Sequence, residues 1–309
     1  MGNRIGCPFQ NVEYTSQYCV EFAVVLSHVH LSTLLSLNPH SPCLARAFNV
    51  LSKSLFSDYM DIITSTTNPT IKAIRSLKDK KTRYVSGLFV VEGGNIVKDM
   101  PSSAEVKYLV VEQSKSEQFS EIIAKYDCQT LLVGDKVMAC LSETVTPCGI
   151  LAVVKVPTPR PIGGGNIVVM DGVADPGNMG TIIRSCVACG IEDVVAVDCA
   201  DHLSGKVVRS SMGGVLKCNI VPCTRERVGE LLEGKQVLVL DMNGKSIFDV
   251  QIDRPKPWAL VVGNEAHGIS DTMRDRADQI ISLPMKGDME SLNAGVSLSV
   301  GLFELVFNR

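Results

Sequence analysis

Beyond residue 60, short apolar runs alternate with longer amphipathic or polar stretches, and that alternation predicts a protein of β/α units. GLFVVE (87–92), Val106 to Glu112, Thr130 to Val133 and Ile150 to Val156 read as strands, with helical spacing in Asn95 to Met100 and Ser116 to Tyr126. Pro157, Pro159 and Pro161, followed by Gly163, Gly164 and Gly165, mark a linker. After it come NIVVMD (166–171), DVVAV (193–197), QVLVLD (236–241), ALVV (259–262) and QIISL (279–283). These runs are continuously apolar and rich in β-branched residues, as in strands covered on both faces. They predict a mostly parallel sheet with helices on either side. A last helix runs from about Ser291 to Phe307, with Leu292, Val296, Val300, Phe303 and Phe307 at spacings of three and four. Its small residues Ala294, Gly295, Ser297, Ser299 and Gly301 leave room for another backbone. The expected fold class is therefore α/β, with a small α/β domain at 60–156, a linker at 157–165 and a larger domain at 166–309.

Residues 1–59 differ in character. They hold only Arg4, Arg46 and Lys53 as strong bases and Glu13, Glu21 and Asp58 as acids, beside His28, His30 and His40. The apolar run Phe22 to Leu26 is too short and too far in for a secretory signal. Two readings stay open: a transit peptide, favoured by few acids but not by scarce arginine, or an extension upstream of an effective start at Met60.

Composition changes the picture little. A length of 309 residues suits two domains, and a formal charge of −3 leaves any polyanion binding to local basic patches. No apolar stretch is long enough for a membrane span. The 11 cysteines lack paired zinc spacing. Cys186 and Cys189 form a lone C-x-x-C inside a predicted helix, so no metal site is expected, and the thiols suit a reducing, cytoplasmic setting. Lys72, Arg75, Lys78, Lys80, Lys81 and Arg83 crowd one segment, read as a helix, with Asp79 its single acid. Such a run is either a solvated face or a phosphate-contacting patch.

Three strand-to-loop-to-helix segments carry the candidate chemistry: DPGNMGTIIRS (175–185), VVGNEAHGIS (261–270) and LPMKGDMESLNAGVSLSV (283–300). Ligands of α/β proteins sit outside the carboxyl ends of the strands, so Asn178, Arg184, Glu265, Ser291 and Asn293 suggest one composite site. Gly172, Gly177 and Gly180 do not make G-x-G-x-x-G, and no P-loop lysine follows. Six residues amount to 600°, which puts Asn178 and Arg184 about 120° apart on their helix. Each residue also has a bland reading: a capping Asn, a surface Arg, a helix-capping Glu265, a loop His267 and a Ser291 that caps the last helix.

Together and in this order, the three segments resemble the signature motifs of the SpoU/TrmH family of RNA ribose 2′-O-methyltransferases. Asn178, Gly180 and Arg184 match the first motif, GNEAHGIS the second and LPMKG…ESLNAGVS the third. VVRSSMGG (207–214) resembles the family's connecting segment, and residues 63–93 its amino-terminal RNA substrate-binding domain. Residues 1–59 have no counterpart. The resemblance implies a carboxy-terminal trefoil knot, S-adenosylmethionine as cofactor, no metal, and a homodimer that completes the site across its interface. It assigns cofactor contacts to Gly263, Leu283 and Leu292, with Leu240, Asn264, Ile281 and Met285 close by. It makes Arg184 essential, with Asn178 and Asn293 orienting Arg184 and the ribose, Glu265 bracing loop two and Ser291 positioning loop three. It also favours the RNA-contact reading of Lys72, Arg75, Lys78, Lys80, Lys81 and Arg83.

The expected activity is methyl transfer to a ribose 2′-hydroxyl of structured RNA, ribosomal RNA before transfer RNA. A non-catalytic RNA-binding factor on the same scaffold is the alternative, and the intact motif residues argue against it. Two departures stand out: Cys148 where the family commonly has Gln, and Ala266-His267 where a glycine is more usual.

Overall fold

A computed structural model describes residues 61–253 and 255–308. The stretch 1–59, Met60 and both readings of them lie outside the described residues. The basic segment is two helices rather than one. The first, α1 (Pro69–Ser76), starts at Asn68, whose Oδ1 accepts from the Thr70 N–H at 2.9 Å, with Pro69 in the first turn where no N–H is missed. The second, α2 (Lys80–Ser86), starts at Asp79, whose carboxylate accepts from the Thr82 N–H at 2.8 Å, and it ends on Gly87 at φ 65°. Asp79 is a cap between two helices, which the charge pattern alone did not reveal.

There follow β1 (Leu88–Glu92), α3 (Gly94–Lys98), β2 (Val106–Glu112), α4 (Ser120–Lys125), β3 (Gln129–Val133), α5 (Asp135–Leu141) and β4 (Ile150–Lys155). The four strands form a sheet in the order β1-β4-β2-β3, with β4 antiparallel to β1 and β2, and β2 parallel to β3. Ile71, Ile74, Val137, Met138 and Leu141 pack on one face and Phe89, Val91, Leu109 and Ile122 on the other.

The rest is β5 (Ile167–Asp171), α6 (Pro176–Ala188), β6 (Asp193–Val197), α7 (Gly205–Ser210), β7 (Asn219–Cys223), α8 (Val228–Leu232), β8 (Gln236–Ser246), β9 (Trp258–Val262), α9 (Asp271–Arg274), β10 (Gln279–Ser282) and α10 (Ala294–Phe307). All six strands are parallel, in the order β10-β8-β9-β5-β6-β7. β5, β6 and β9 are buried along their whole length, which is why their sequences are continuously apolar.

The pairing of β8 with β10 jumps from Val239↔Ile280 to Lys245↔Ile281, so residues 240–244 swing out toward the carboxyl end of the sheet. At Gly244 the two backbones nearly touch: a Cβ there would sit 2.6 Å from Ile281 N. α10 lies against α6, and Asn293 caps it, its Oδ1 accepting from the N–H groups of Gly295 (3.0 Å) and Val296 (3.3 Å). The helix therefore starts at Ala294, and Ser291 is not its cap. Two of the small residues face α6 within the same chain: a Cβ on Gly295 would lie 3.2 Å from Thr181, and Ser299 Oγ pairs with Ser185 Oγ at 2.7 Å, while Gly301 packs on Leu240 and Ile247. What α10 leaves in solvent is the apolar row Val296, Val300, Phe303 and Phe307.

Candidate active site

Three loops meet beyond the carboxyl ends of β5, β9 and β10. Loop one leaves Asp171, turns at Gly172 (φ 76°) and enters α6 through Asp175, whose Oδ1 accepts from the Asn178 N–H at 2.9 Å. That bond and the Lys206 ammonium hold the Asp175 carboxyl below the usual aspartate range. Loop two is a tight return in which Asn264 and Gly268 exchange backbone hydrogen bonds, both 2.9 Å. Asn264 Oδ1 also accepts from the Ala266 and His267 N–H groups, so the departure from glycine at 266–267 is accommodated within an ordered turn.

Glu265 clamps loop two to loop one. Its carboxylate accepts from the N–H groups of Ala174 and Asp175, both at 3.1 Å, and from Asn178 Nδ2 at 2.8 Å. Partial burial works to raise the Glu265 pKa, but these donors outweigh it and hold the group below its ordinary value, ionised at neutral pH. The Asn178 Oδ1 accepts from Asn293 Nδ2 at 2.8 Å, which ties in loop three. Asn178, Glu265 and Asn293 thus hold one another across three motifs. Glu265 does not cap α9.

Beside this knot of amides opens a cleft of about 610 Å³, within the range of small-molecule sites. Leu240, Ile281, Leu283, Met285 and Leu292 give it an apolar wall, and Gly263, Asn264 and Ser291 line its polar edge. Every position assigned by resemblance to the cofactor lines this one cleft. Apolar walls beside open backbone groups and carboxylates fit a flat heteroaromatic ring joined to a charged amino-acid tail. Gly263 is where the fit is tightest, since a Cβ there would run into the backbone of Gly268 and lie 2.6 Å from Ile269 N.

Two site residues escaped the sequence reading. Asp241 and Arg274 pair at 2.7 Å on the cleft wall. The available signal was that Asp241 ends an apolar strand run, the position where ligand-facing groups gather.

Arg184 stands apart. It is exposed on α6 and makes no hydrogen bond or ion pair among the described residues, so Asn178 and Asn293 do not orient it within the chain. Its neighbour Ser185 contacts α10, about 100° around the helix from Arg184.

The basic segment divides. Arg83 is buried, ion-paired with Asp201 and bonded to the carbonyls of Leu77 (2.7 Å) and Lys78 (2.8 Å). Burial disfavours the Asp201 carboxylate, but Arg83 and the Leu203 N–H together outweigh it and keep its pKa below the usual range. Lys78 is bonded to the carbonyls of Cys140 and Ser142 at the end of α5. Arg83 is taken up inside the fold and is not free for RNA, which corrects the expectation for that residue; Lys72, Arg75, Lys78, Lys80 and Lys81 are exposed, Lys78 while bonded to those two carbonyls. Arg83→Ala should cost about 3–5 kcal/mol in chemical denaturation, because it strands a buried carboxylate. Lys80→Ala should leave stability within about 0.5 kcal/mol. Equal effects of the two would refute this division.

Among the described residues no group of three or more His, Cys, Asp or Glu side chains is arranged to hold a metal, and no helix is long and apolar enough to cross a membrane. The eight described cysteines are free thiols, Cys186 and Cys218 among the most buried.

Residues 165–303 match the SpoU rRNA Methylase family and residues 68–152 the MRM3-like substrate binding domain. The chain is 29% identical over 252 residues to the 23S rRNA (guanosine(2553)-2′-O)-methyltransferase RlmP of Bacillus subtilis, covering 80% of this chain and 99% of that one. It is 26% identical over 261 residues to the 23S rRNA (adenosine(1067)-2′-O)-methyltransferase of Streptomyces azureus, covering 80% and 96%. Among solved structures, the AdoMet-bound rRNA methyltransferase from Sinorhizobium meliloti superposes with a TM-score of 0.69 at 29% identity, over 79% of this chain and 97% of that one.

Proposed function

The chain belongs to the SpoU/TrmH methylase family, with a substrate-binding domain ahead of the catalytic one, and from that premise we propose that it methylates a ribose 2′-hydroxyl of ribosomal RNA using S-adenosylmethionine. The observation that carries this reading is the Glu265 clamp, which joins three motif loops beside a cleft of suitable size and polarity. Ribosomal RNA is favoured over transfer RNA because relatives matched over nearly their whole length act on 23S rRNA.

Leu240, Gly263, Asn264, Ile281, Leu283, Met285 and Leu292 would hold the cofactor, which when bound supplies an electrophilic methyl group on a sulfonium. The protein must align a ribose hydroxyl and lower the cost of losing its proton. A guanidinium holds its proton too tightly to serve as a good base. We assign Arg184 to gripping a phosphate and stabilising alkoxide charge, with a phosphate oxygen or water taking the proton. Asn178, Glu265 and Asn293 keep the loops in register, and Ser291 positions loop three at the cleft edge.

The exposed row on α10 supports a homodimer in which Arg184 serves the cleft of a second copy. Phe303→Glu should then give a monomer by sedimentation and lose at least about tenfold in activity; an unchanged sedimentation coefficient would count against this interface. We further propose a trefoil knot for the catalytic domain, the domain bounds as 60–156 and 166–309, and the setting as cytoplasmic.

The test is to map 2′-O-methylation across ribosomal and transfer RNA with and without the gene. Loss of one ribosomal mark, restored in vitro by the purified chain and S-adenosylmethionine, is expected. A lost transfer-RNA mark would shift the substrate, and no lost mark together with no cofactor binding would overturn the reading.

A further inference from the structure

The segment SGKVVRSSMGG (204–214) belongs to none of the three loops, yet it touches both halves of the fold. Toward α6, Lys206 Nζ pairs with Asp175 Oδ2 at 3.1 Å, and Ser210 Oγ lies 3.2 Å from the Pro176 carbonyl. The helices meet at Gly180, where a Cβ would sit 2.7 Å from Ser210 Cβ and 2.9 Å from Ser211 N, so α7 cannot shift toward α6.

Toward the four-stranded sheet, Arg209 Nη1 reaches Glu92 Oε2 (3.4 Å) and Glu143 Oε2 (3.3 Å). Glu92 is buried, and its carboxylate is otherwise filled by Ser142 Oγ, Thr144 Oγ1 at 3.1 Å and the Glu143 N–H at 3.2 Å. Just past the end of α7, a Cβ on Gly213 would lie 2.8 Å from the Ile96 Cγ2 methyl. Val207 and Val208, between the two charged ends, are fully buried. The helix is therefore held close to α6 at Gly180 and close to the four-stranded sheet by Gly205 against the Glu143 carboxylate and by the Arg209 ion pairs, which leaves it little slack. One of its ends holds Asp175, which caps α6 and lies next to the Glu265 clamp.

We propose that α7 is a spacer that fixes the register between the RNA-holding domain and loop one, with Arg209 and Lys206 as positioning residues at its two ends. This rests on the reading of loop one as the methyl-transfer loop. Neither residue touches the cofactor cleft, so their effect belongs to alignment and not to cofactor affinity.

The test uses the full chain with Arg209→Ala, Arg209→Lys and Lys206→Ala. Amide hydrogen exchange at Ala174, Asp175 and Asn178 is followed without RNA, alongside kcat, KM and cofactor affinity. Arg209→Ala should speed exchange at those amides although Arg209 contacts none of them. It should also lower kcat by roughly 10- to 100-fold, the scale of a misplacement of about 1 Å, with the cofactor Kd within about twofold; Arg209→Lys should recover most of it. Lys206→Ala, at an exposed position, should act in the same direction and covers a failure of Arg209→Ala to fold. Unchanged exchange at loop one, or an effect on KM alone, overturns the spacer. A wild-type chain that methylates no RNA overturns the methyltransferase reading instead, and the exchange arm still decides the spacer.

Discussion

Arg184→Ala is expected to abolish methyl transfer, with a loss of at least ~10³-fold, while melting temperature and cofactor affinity stay those of the wild type. Two structural facts separate these outcomes. The side chain is exposed and unbonded among the described residues, so its removal strands no partner and opens no cavity. It is also not among the residues that line the cleft with Leu240, Ile281 and Leu283. On the proposed mechanism its worth lies in the complex with RNA, where a guanidinium would supply a fixed charge against a phosphate and a developing alkoxide. Single-turnover assays with saturating cofactor would measure the loss. Turnover within about tenfold of wild type would remove Arg184 from the chemistry and leave the phosphate-grip role without a residue.

The second large effect is at Gly263. In Gly263→Ala the new Cβ meets the Gly268 backbone and lies 2.6 Å from Ile269 N, and no side-chain rotation relieves a clash with main chain. The paired 2.9 Å bonds between Asn264 and Gly268 must open, and Asn264 and Glu265 move with them. The expected result is a cofactor Kd raised at least ~100-fold by calorimetry. A stability loss of about 1–3 kcal/mol should accompany it, as for overpacked sites. Affinity within a few-fold of wild type would mean that the 264–268 turn does not shape the cleft. The pairing of the two variants is informative, since one should lose turnover without affinity and the other should lose affinity first.

Much of this was legible in the sequence because the central strands β5, β6 and β9 are buried on both faces and so are written as nearly plain apolar runs. β7 was not read. Its Pro222 argues against a strand, and is tolerated because β7 is the edge of the sheet, where a missing N–H costs no ladder bond. α5 was missed because Asp135–Leu141 is too short for its Val137, Met138 and Leu141 to show a period. At the site, Asn178, Glu265 and Asn293 were legible as polar residues at strand ends. Their mutual bonding was not, because each partner lies roughly 90 to 115 positions away. The same holds for Arg83, where a basic run resembles a surface patch until the fold supplies Asp201. The apolar row of α10 shows the converse: helical spacing identified an amphipathic face but not that this face is left open to solvent, with the small residues packed inward instead.

The strand order also has a consequence for synthesis. β5, β6 and β7 can pair in the order in which they emerge from the ribosome, but the other side of β5 is covered only by β9, some 90 residues later in the register Ile167↔Ala259. β8 in turn emerges before both of its neighbours, β9 and β10. During that interval the nascent chain presents an unpaired strand edge, apolar from Ile167 to Met170, the kind of surface that recruits other strands. The parallel order that brings three loops to one cleft therefore leaves the half-made protein dependent on protection until residue 262 is out.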